Sequence, residues 1–175
     1  MSGDPLVSVC IPAYNCEKYV SACIESVLSQ TFHNIEIIVI DDCSTDATWE
    51  RLQAYSDHRL SLSRNTQNLG AEKNWNACLE QASGEYIQFL PSDDMLYPEA
   101  IAKRLAVLEV TGNRDLSFVF SARDIVNAED KRVMTALLSK AGRRDRSDLV
   151  RQNVTRGMNV IGEPACVLFR SSCAM

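Results

Sequence analysis

The sequence has no apolar run that approaches the ~20 residues a helix needs to cross a bilayer. Its opening, Met1-Ser-Gly-Asp-Pro5, has neither the basic stretch nor the apolar stretch of a secretion signal. It has no excess of positive charge: 18 Lys and Arg stand against 23 Asp and Glu, a formal net charge of −5. A broad nucleic-acid footprint calls for a basic surface, so no nucleic-acid partner is expected. That balance does not exclude an anionic ligand held at one local site. No Cys-x-x-Cys pair occurs among Cys10, Cys16, Cys23, Cys43, Cys78, Cys166 and Cys173. An odd set of thiols, mostly at apolar positions, reads as free buried cysteines in a reducing cytoplasm rather than as a disulfide framework or a zinc site. Gly-x-Gly-x-x-Gly is missing, and with it the dinucleotide fingerprint. No internal repeat or low-complexity linker divides the chain. What remains is an ordinary globular composition, 46% hydrophobic and 23% charged over 175 residues, enough for one domain with a core.

Two hydrophobic periods alternate through the first hundred residues. Val7-Ser-Val-Cys-Ile11 is a short apolar run that stops at Pro12, as a buried strand does. Tyr19, Val20, Cys23, Ile24, Val27 and Leu28 form one helical stripe, with Asn15 as its expected cap and Glu17 in its first turn. Ile35-Glu-Ile-Ile-Val-Ile40 is β-branched almost throughout and predicts a second strand. A helix over about 47–55, a strand at 60–63 and a loop at 65–70 follow. Trp75, Cys78, Leu79 and Ala82 mark another helix, with Gly84 as its expected C-terminal cap. Glu85 to Leu90 predicts a fourth strand, and Pro98 suits the first turn of a helix through Ile101, Leu105 and Leu108. Beyond Thr111 the pattern weakens to two strand-like segments, Leu116–Phe120 and Val167–Phe169, around a charged stretch from Arg143 to Arg151. Alternating strands and helices imply right-handed βαβ units and a mainly parallel sheet, an α/β fold.

In open parallel sheets ligands bind at the carboxyl ends of the strands. Three polar clusters fall there: Pro12-Ala-Tyr-Asn15, Asp41-Asp42 and Ser92-Asp93-Asp94. Neighbouring carboxylates repel unless something compensates them. One acid of each pair can cap the next helix, but a cap uses one side chain. The other reading is a hard divalent cation shared between carboxylates and the phosphate oxygens of a ligand, where it acts as a Lewis acid on a departing diphosphate. Tyr14 is either core or a surface on which a flat ligand stacks. His33 and His58 fall on or beside loops and receive no role.

Val7-Ser-Val-Cys-Ile-Pro-Ala-Tyr-Asn15, Ser26-Val-Leu-Ser-Gln-Thr31, Glu36-Ile-Ile-Val-Ile-Asp-Asp-Cys-Ser-Thr-Asp46, Asn68-Leu-Gly70 and Ala82-Ser-Gly-Glu-Tyr-Ile-Gln-Phe-Leu90, ending at Ser92-Asp-Asp94, together resemble the N-terminal half of the inverting family 2 glycosyltransferases. Ile161-Gly-Glu-Pro-Ala-Cys-Val-Leu-Phe-Arg170 resembles a later segment of that family. The resemblance implies a GT-A fold, a Rossmann-like three-layer α/β/α sandwich within a single domain over 1–175. Residues 5–111 would form the nucleotide-sugar-binding half and 112–175 a truncated acceptor-side part. It also implies a nucleotide-sugar donor, usually UDP-linked, a divalent metal (Mn or Mg), and a saccharide or lipid-linked acceptor. Carried over by residue, Pro12 and Tyr14 would line the base pocket, Asp42 would accept from the base and Asp41 would support that turn. Asp93 would bind the metal with Asp94 beside it. Pro91 stands where the family commonly has an acid, and Ser92 would offer a weaker hydrogen bond to the ribose.

The family's general base lies past the Gly-Glu-Pro segment. Here Ser171-Ser-Cys-Ala-Met175 follows closely, and Glu163 reads as a turn residue beside Pro164. Losing a general base costs about 10²–10⁴ in rate. Donor binding need not suffer, because the nucleotide and phosphate contacts all lie upstream; the leading expectation is metal-assisted sugar transfer with inversion. The alternative is a truncated nucleotide-sugar-binding module without turnover of its own. A nucleotidyltransferase ranks below both, because no Gly-rich basic phosphate loop follows the first strand. Apolar surface near Val160 to Phe169, left uncovered in a truncated chain, would favour a homo-oligomer.

Overall fold

A computed structural model describes residues 3–110, 113, 115–136, 142–145, 147–149, 151, 155 and 163–173. Thr111 and the segment Val160 to Gly162 lie outside the described residues. The apolar segments of the first hundred residues form β1 (Val7–Ala13), β2 (Ile35–Asp41), β3 (Leu60–Arg64) and β4 (Tyr86–Phe89). The amphipathic segments form α1 (Val20–Leu28), α2 (Thr48–Gln53), α3 (Ala71–Gln81) and α4 (Ala100–Glu109). Four further strands follow: β5 (Phe118–Phe120), β6 (Arg123–Val126), β7 (Arg132–Ala136) and β8 (Val167–Arg170). Strands β3-β2-β1-β4-β8-β5 make one sheet in that order, and β6 and β7 pair as a separate hairpin. The first four are mutually parallel, and β8 runs antiparallel to both β4 and β5.

The side-chain alternation of the strands builds a core on each face of the sheet. Val7, Val9 and Ile11 of β1, with Ile35, Ile37 and Val39 of β2, pack against Val20, Ile24 and Val27 of α1, Leu52 of α2, and Ile101, Leu105 and Leu108 of α4. Cys10, Ile38 and Ile40 point to the other face and meet Cys78 of α3. This is the expected three-layer α/β/α sandwich. The cysteines are free; Cys10, Cys16, Cys23, Cys78 and Cys166 are buried. Burial pushes the Cys78 thiol up to about 12 and raises those of Cys10 and Cys23 as well. Among the described residues no helix is long and apolar enough to cross a membrane.

Several local expectations change. β1 does not stop at Pro12 but runs to Ala13. Pairing with β4 ends at Cys10, so at Pro12 the strand has β2 alone beside it and the missing N–H breaks no central ladder. Asn15 does not cap α1, which begins at Val20 without a side-chain cap. Its backbone is left-handed, φ 46°, and its side chain reaches across to the end of β2. Gly84 is not a helix cap either. Its N–H donates to Ser8 Oγ at 2.8 Å, and a Cβ there would stand 2.6 Å from that oxygen and 2.7 Å from the Ser8 nitrogen. The position calls for glycine because two backbones approach closely. The β6–β7 hairpin has no alternating apolar signature; Val126, Val133 and Met134 are exposed. The described part of the segment expected to be uncovered is instead packed: Ala165, Cys166 and Leu168 are buried and Phe169 lies against Phe89.

Gly84→Ala is expected to destabilise the fold by about 1–3 kcal/mol, the range for overpacking against a close backbone. Urea unfolding measures it, and a loss below ~0.5 kcal/mol, the usual range for an uncrowded surface change, would contradict the close-approach account.

Candidate functional site

Chain order reverses around β1: the first crossover leads to β2 on one side, and the third leads back to β4 on the other. The carboxyl end of β1 is therefore the switch point of the sheet, the place where ligands bind in open α/β sheets. All three polar clusters border it. Asp42 N donates to Ala13 O at 2.8 Å, and Leu90 N donates to Cys10 O at 2.9 Å, so the ends of β2 and β4 are tied to β1.

The two acids at the end of β2 are buried, Asp41 at 0% and Asp42 at 2% exposure. Neither caps α2, whose N-cap position is Ala47; Asp46, one residue earlier, accepts from Thr48 N at 3.0 Å. Asp41 accepts from Ser44 N at 3.1 Å and from the Ser44 hydroxyl, and Arg64 Nε lies 2.9 Å from its Oδ2. Arg64 also donates to Ser44 O at 2.7 Å and stands over the Trp49 ring. Asp42 Oδ1 accepts from Asn65 Nδ2 at 2.7 Å and Leu69 N at 2.9 Å, and Oδ2 from Gly70 N at 2.9 Å. A carboxylate has about four acceptor directions, so roughly one remains on Asp42. Asn74, 2% exposed, completes this cluster by accepting from Asn65 and donating to Ile40 O. The charge of the Asp41–Asp42 pair is thus compensated from within the chain, and the cation expected from their adjacency is not needed there.

Above this base, Tyr14 is 48% exposed, which removes the reading of it as core. Asn15 N donates to Ser44 Oγ at 2.9 Å, and Asn15 Oδ1 accepts from Thr45 N at 2.9 Å, so the β1 and β2 loops brace each other. Pro12 is buried at the end of β1. Cys43 joins Asn15 in the left-handed region, φ 57°, a strained state that clusters at functional sites.

The loop after β4 is held by the end of α1. Leu96 N donates to Ser26 Oγ at 3.1 Å, Gln30 Nε2 to Tyr97 O at 2.8 Å, and Thr31 N to Pro98 O at 2.9 Å. These contacts give the segment Ser26 to Thr31 a physical task, fixing the loop that carries Asp93 and Asp94. Ser92 is 7% exposed, so it lies beneath the rim. Asp93 is exposed. Burial, together with the negative charges of Asp93 and Glu163, holds the Asp94 carboxyl above the usual carboxylate range, while Arg123 acts in the opposite direction. Here, unlike at Asp41–Asp42, a cation would relieve the site. Among the described residues no group of three or more His, Cys, Asp or Glu could hold a metal alone. A hard cation held by one or two carboxylates completes its shell with phosphate and water oxygens, and Asp93 with Asp94 fits that donor set.

Arg64, Asn65 and Asn74 serve this rim without a sequence signal of their own, whereas Ser26 and Gln30 stand in a segment of the family resemblance to which the sequence assigns no task. His33 and His58 line a different concavity of about 420 Å³ at the amino ends of β2 and β3, the end of the strands away from the rim. Asp42→Ala is expected to cost about 3 kcal/mol, because three N–H donors lose a charged acceptor. Faster amide exchange at Leu69 and Gly70 should accompany it; unchanged exchange and a loss under ~1 kcal/mol, the size of one ordinary hydrogen bond, would contradict that role.

Residues 8–173 match the family described as glycosyl transferase family 2. The UDP-Glc:alpha-D-GlcNAc-diphosphoundecaprenol beta-1,3-glucosyltransferase WfaP of Escherichia coli is 43% identical over 104 residues, 59% of this chain and 41% of that protein. The Mycobacterium tuberculosis protein MT1568 is 35% identical over 98% of this chain and 55% of its own length. The chain therefore spans about two fifths to just over half of these relatives. Among solved structures, Staphylococcus aureus TarS 1-349 in complex with UDP-GlcNAc aligns with TM-score 0.56 at 36% identity, covering 59% of this chain and 31% of that one. The mannosyltransferase PcManGT of Pyrobaculum calidifontis, in complex with GDP-Man and Mn2+, aligns with TM-score 0.60 at 22% identity, covering 72% and 37%; that likeness shows the fold alone. With a family match across most of its length and the switch-point rim of a GT-A sandwich, this chain belongs to glycosyl transferase family 2.

Proposed function

We propose that this chain binds a UDP-linked sugar at the β1–β2–β4 rim with a divalent cation, and takes part in transferring the sugar, with inversion, to the hydroxyl of a saccharide or lipid-linked acceptor. The observation that carries the reading is the convergence at one switch point of an exposed aromatic (Tyr14), a buried acid pair and an exposed acid (Asp93). The names of two relatives support the ligand class: WfaP is described as using UDP-Glc and a diphosphoundecaprenol-linked sugar, and TarS is described in complex with UDP-GlcNAc.

In this reading Tyr14 offers its face to the base, with Pro12 flanking it. Asp42 accepts from the base with its remaining lone pair, and Asp41 holds the turn beneath through Ser44 and Arg64. Ser92 supports the floor under the ribose. Asp93, with Asp94 beside it, would hold Mn2+ or Mg2+. When bound, that ion supplies positive charge to the leaving diphosphate. Glu163, the late acid of the Gly162-Glu163-Pro164 segment, is engaged by Arg123 at 3.2 Å and receives no proton-transfer role.

Calorimetric titration with UDP, with and without Mn2+, tests the reading beside an Asp93→Ala variant. The expected result is binding with Mn2+ that weakens about tenfold or more without it, and an Asp93→Ala protein that behaves as though metal were absent; such a loss corresponds to about 1.4 kcal/mol or more. Absence of UDP binding under both conditions would overturn the donor reading. Metal-dependent binding that survives in Asp93→Ala would overturn the assignment of the metal residue.

A further inference from the structure

Asn65 follows β3, and its backbone N–H donates to Asp41 O at 2.8 Å, which fixes it at the rim. Its side chain is oriented by a relay that starts at a backbone carbonyl. Ile40 O can only accept, so the Asn74 carboxamide turns its Nδ2 toward it, at 3.0 Å. Asn74 Oδ1 then faces Asn65 and can only accept, so Asn65 donates Nδ2 to it at 3.0 Å. The other hydrogen of the same Nδ2 goes to Asp42 Oδ1 at 2.7 Å. Both amide hydrogens of Asn65 are therefore spent on buried partners. Its Oδ1 accepts nothing among the described residues and, on a half-buried side chain, is the atom left for a ligand. On Asp42, Asn65 and Leu69 N fill Oδ1 while Gly70 N takes one direction of Oδ2, so the open direction lies on Oδ2. The Asp42 N–H bonds to Ala13 O, which ties this group to the residue before Tyr14.

We propose that Asn65 is a base-specificity residue: its Oδ1 and the open Oδ2 direction of Asp42 form an acceptor-only edge that takes a nucleobase with a ring N–H on its pairing edge, as uracil has, and turns cytosine away. The inference rests on the donor reading given above. Uracil and cytosine have the same ring size and offer the same face to Tyr14. They differ at the pairing edge, where uracil N3 donates and cytosine N3 accepts. The donors that surround Asp42 cannot answer cytosine, because Asn65 Nδ2, Leu69 N and Gly70 N are already spent. A site built to receive a donor rejects the analogue that lacks it, since its acceptors are then left facing another acceptor.

The readout is the ratio of the CDP to the UDP dissociation constant, measured by calorimetry at one fixed Mg2+ concentration, with circular dichroism as the check on folding. Diphosphate, metal and stacking contributions are common to both nucleotides and cancel in that ratio. The parent protein should bind CDP about tenfold or more weakly than UDP, the size of one lost and opposed hydrogen bond. Asn65→Leu removes the oxygen and both amide hydrogens, and should shrink the ratio by about threefold or more. Asp42→Asn should carry it to about one or below, because Asn65 and Leu69 N hold the remaining oxygen at Oδ1 and an N–H takes the open direction. Asn65 is half-buried, so its variant tests the proposal even where Asp42→Asn fails to fold. A purely structural Asn65 would weaken UDP and CDP alike in Asn65→Leu and leave the ratio unchanged. That outcome, or a parent that binds both nucleotides within about twofold, the spread expected of an edge that reads no hydrogen bond, would overturn the proposal and leave the donor site standing. Absence of binding by either nucleotide would remove the donor reading and the proposal with it.

Discussion

The carboxylate of Asp42 sits at 2% exposure and accepts from Asn65, Leu69 and Gly70. That carboxylate joins the end of β2 to the loop between β3 and α3, and the backbone N–H of Asp42 donates to Ala13 O and joins β2 to β1. A buried carboxylate is tolerated when its acceptor sites are filled, and costly when they are not. The rim therefore depends on this one group: its presence fixes the loop at 65–70, and the loop in turn encloses it. Asp41 repeats the device with Ser44 and Arg64, one residue earlier and from the other side of the turn.

The two acid pairs of the chain meet opposite fates. At Asp41–Asp42 donors from the chain compensate the charge and leave about one acceptor direction open on Asp42, so the pair shapes the rim without a cation. At Asp93–Asp94 the loop is clamped through its backbone by Ser26, Gln30 and Thr31, while burial and the negative charges of Asp93 and Glu163 raise the Asp94 carboxyl against the opposing charge of Arg123. Rigid backbone beneath incompletely compensated charge is the arrangement expected of a preorganised cation and phosphate site. Adjacent acids in sequence thus say little alone; what decides their role is which donors the fold delivers to them.

That distinction also marks how far the sequence could be read. Strand and helix periods in the first hundred residues are local properties, and they led to the parallel sheet, both faces of the core and the shared rim. Asn15 and Gly84 carried the residue types of helix caps, yet each answers a partner far along the chain, Thr45 and Ser8 respectively. The compensation of Asp41 by Arg64 spans an intervening helix and has no spacing rule to announce it. The hairpin β6–β7 packs too little apolar surface to leave a pattern. Tyr14 was open between core and ligand surface from position alone, and its exposure removes the first option.

The central claim is that the ligand occupies the carboxyl rim of β1, β2 and β4. A concavity of about 420 Å³ beside His33, His58 and Arg59 lies at the amino ends of β2 and β3 and offers the direct competitor. Amide chemical-shift mapping of the isotopically labelled chain, titrated with UDP and Mg2+, separates the two. The account predicts shifts concentrated at Tyr14, Asn15, Asp42, Leu69, Gly70, Asp93 and Asp94, with His33, Asn34 and Arg59 unmoved. Shifts concentrated at His33, Asn34 and Arg59 instead, with the rim silent, would contradict it.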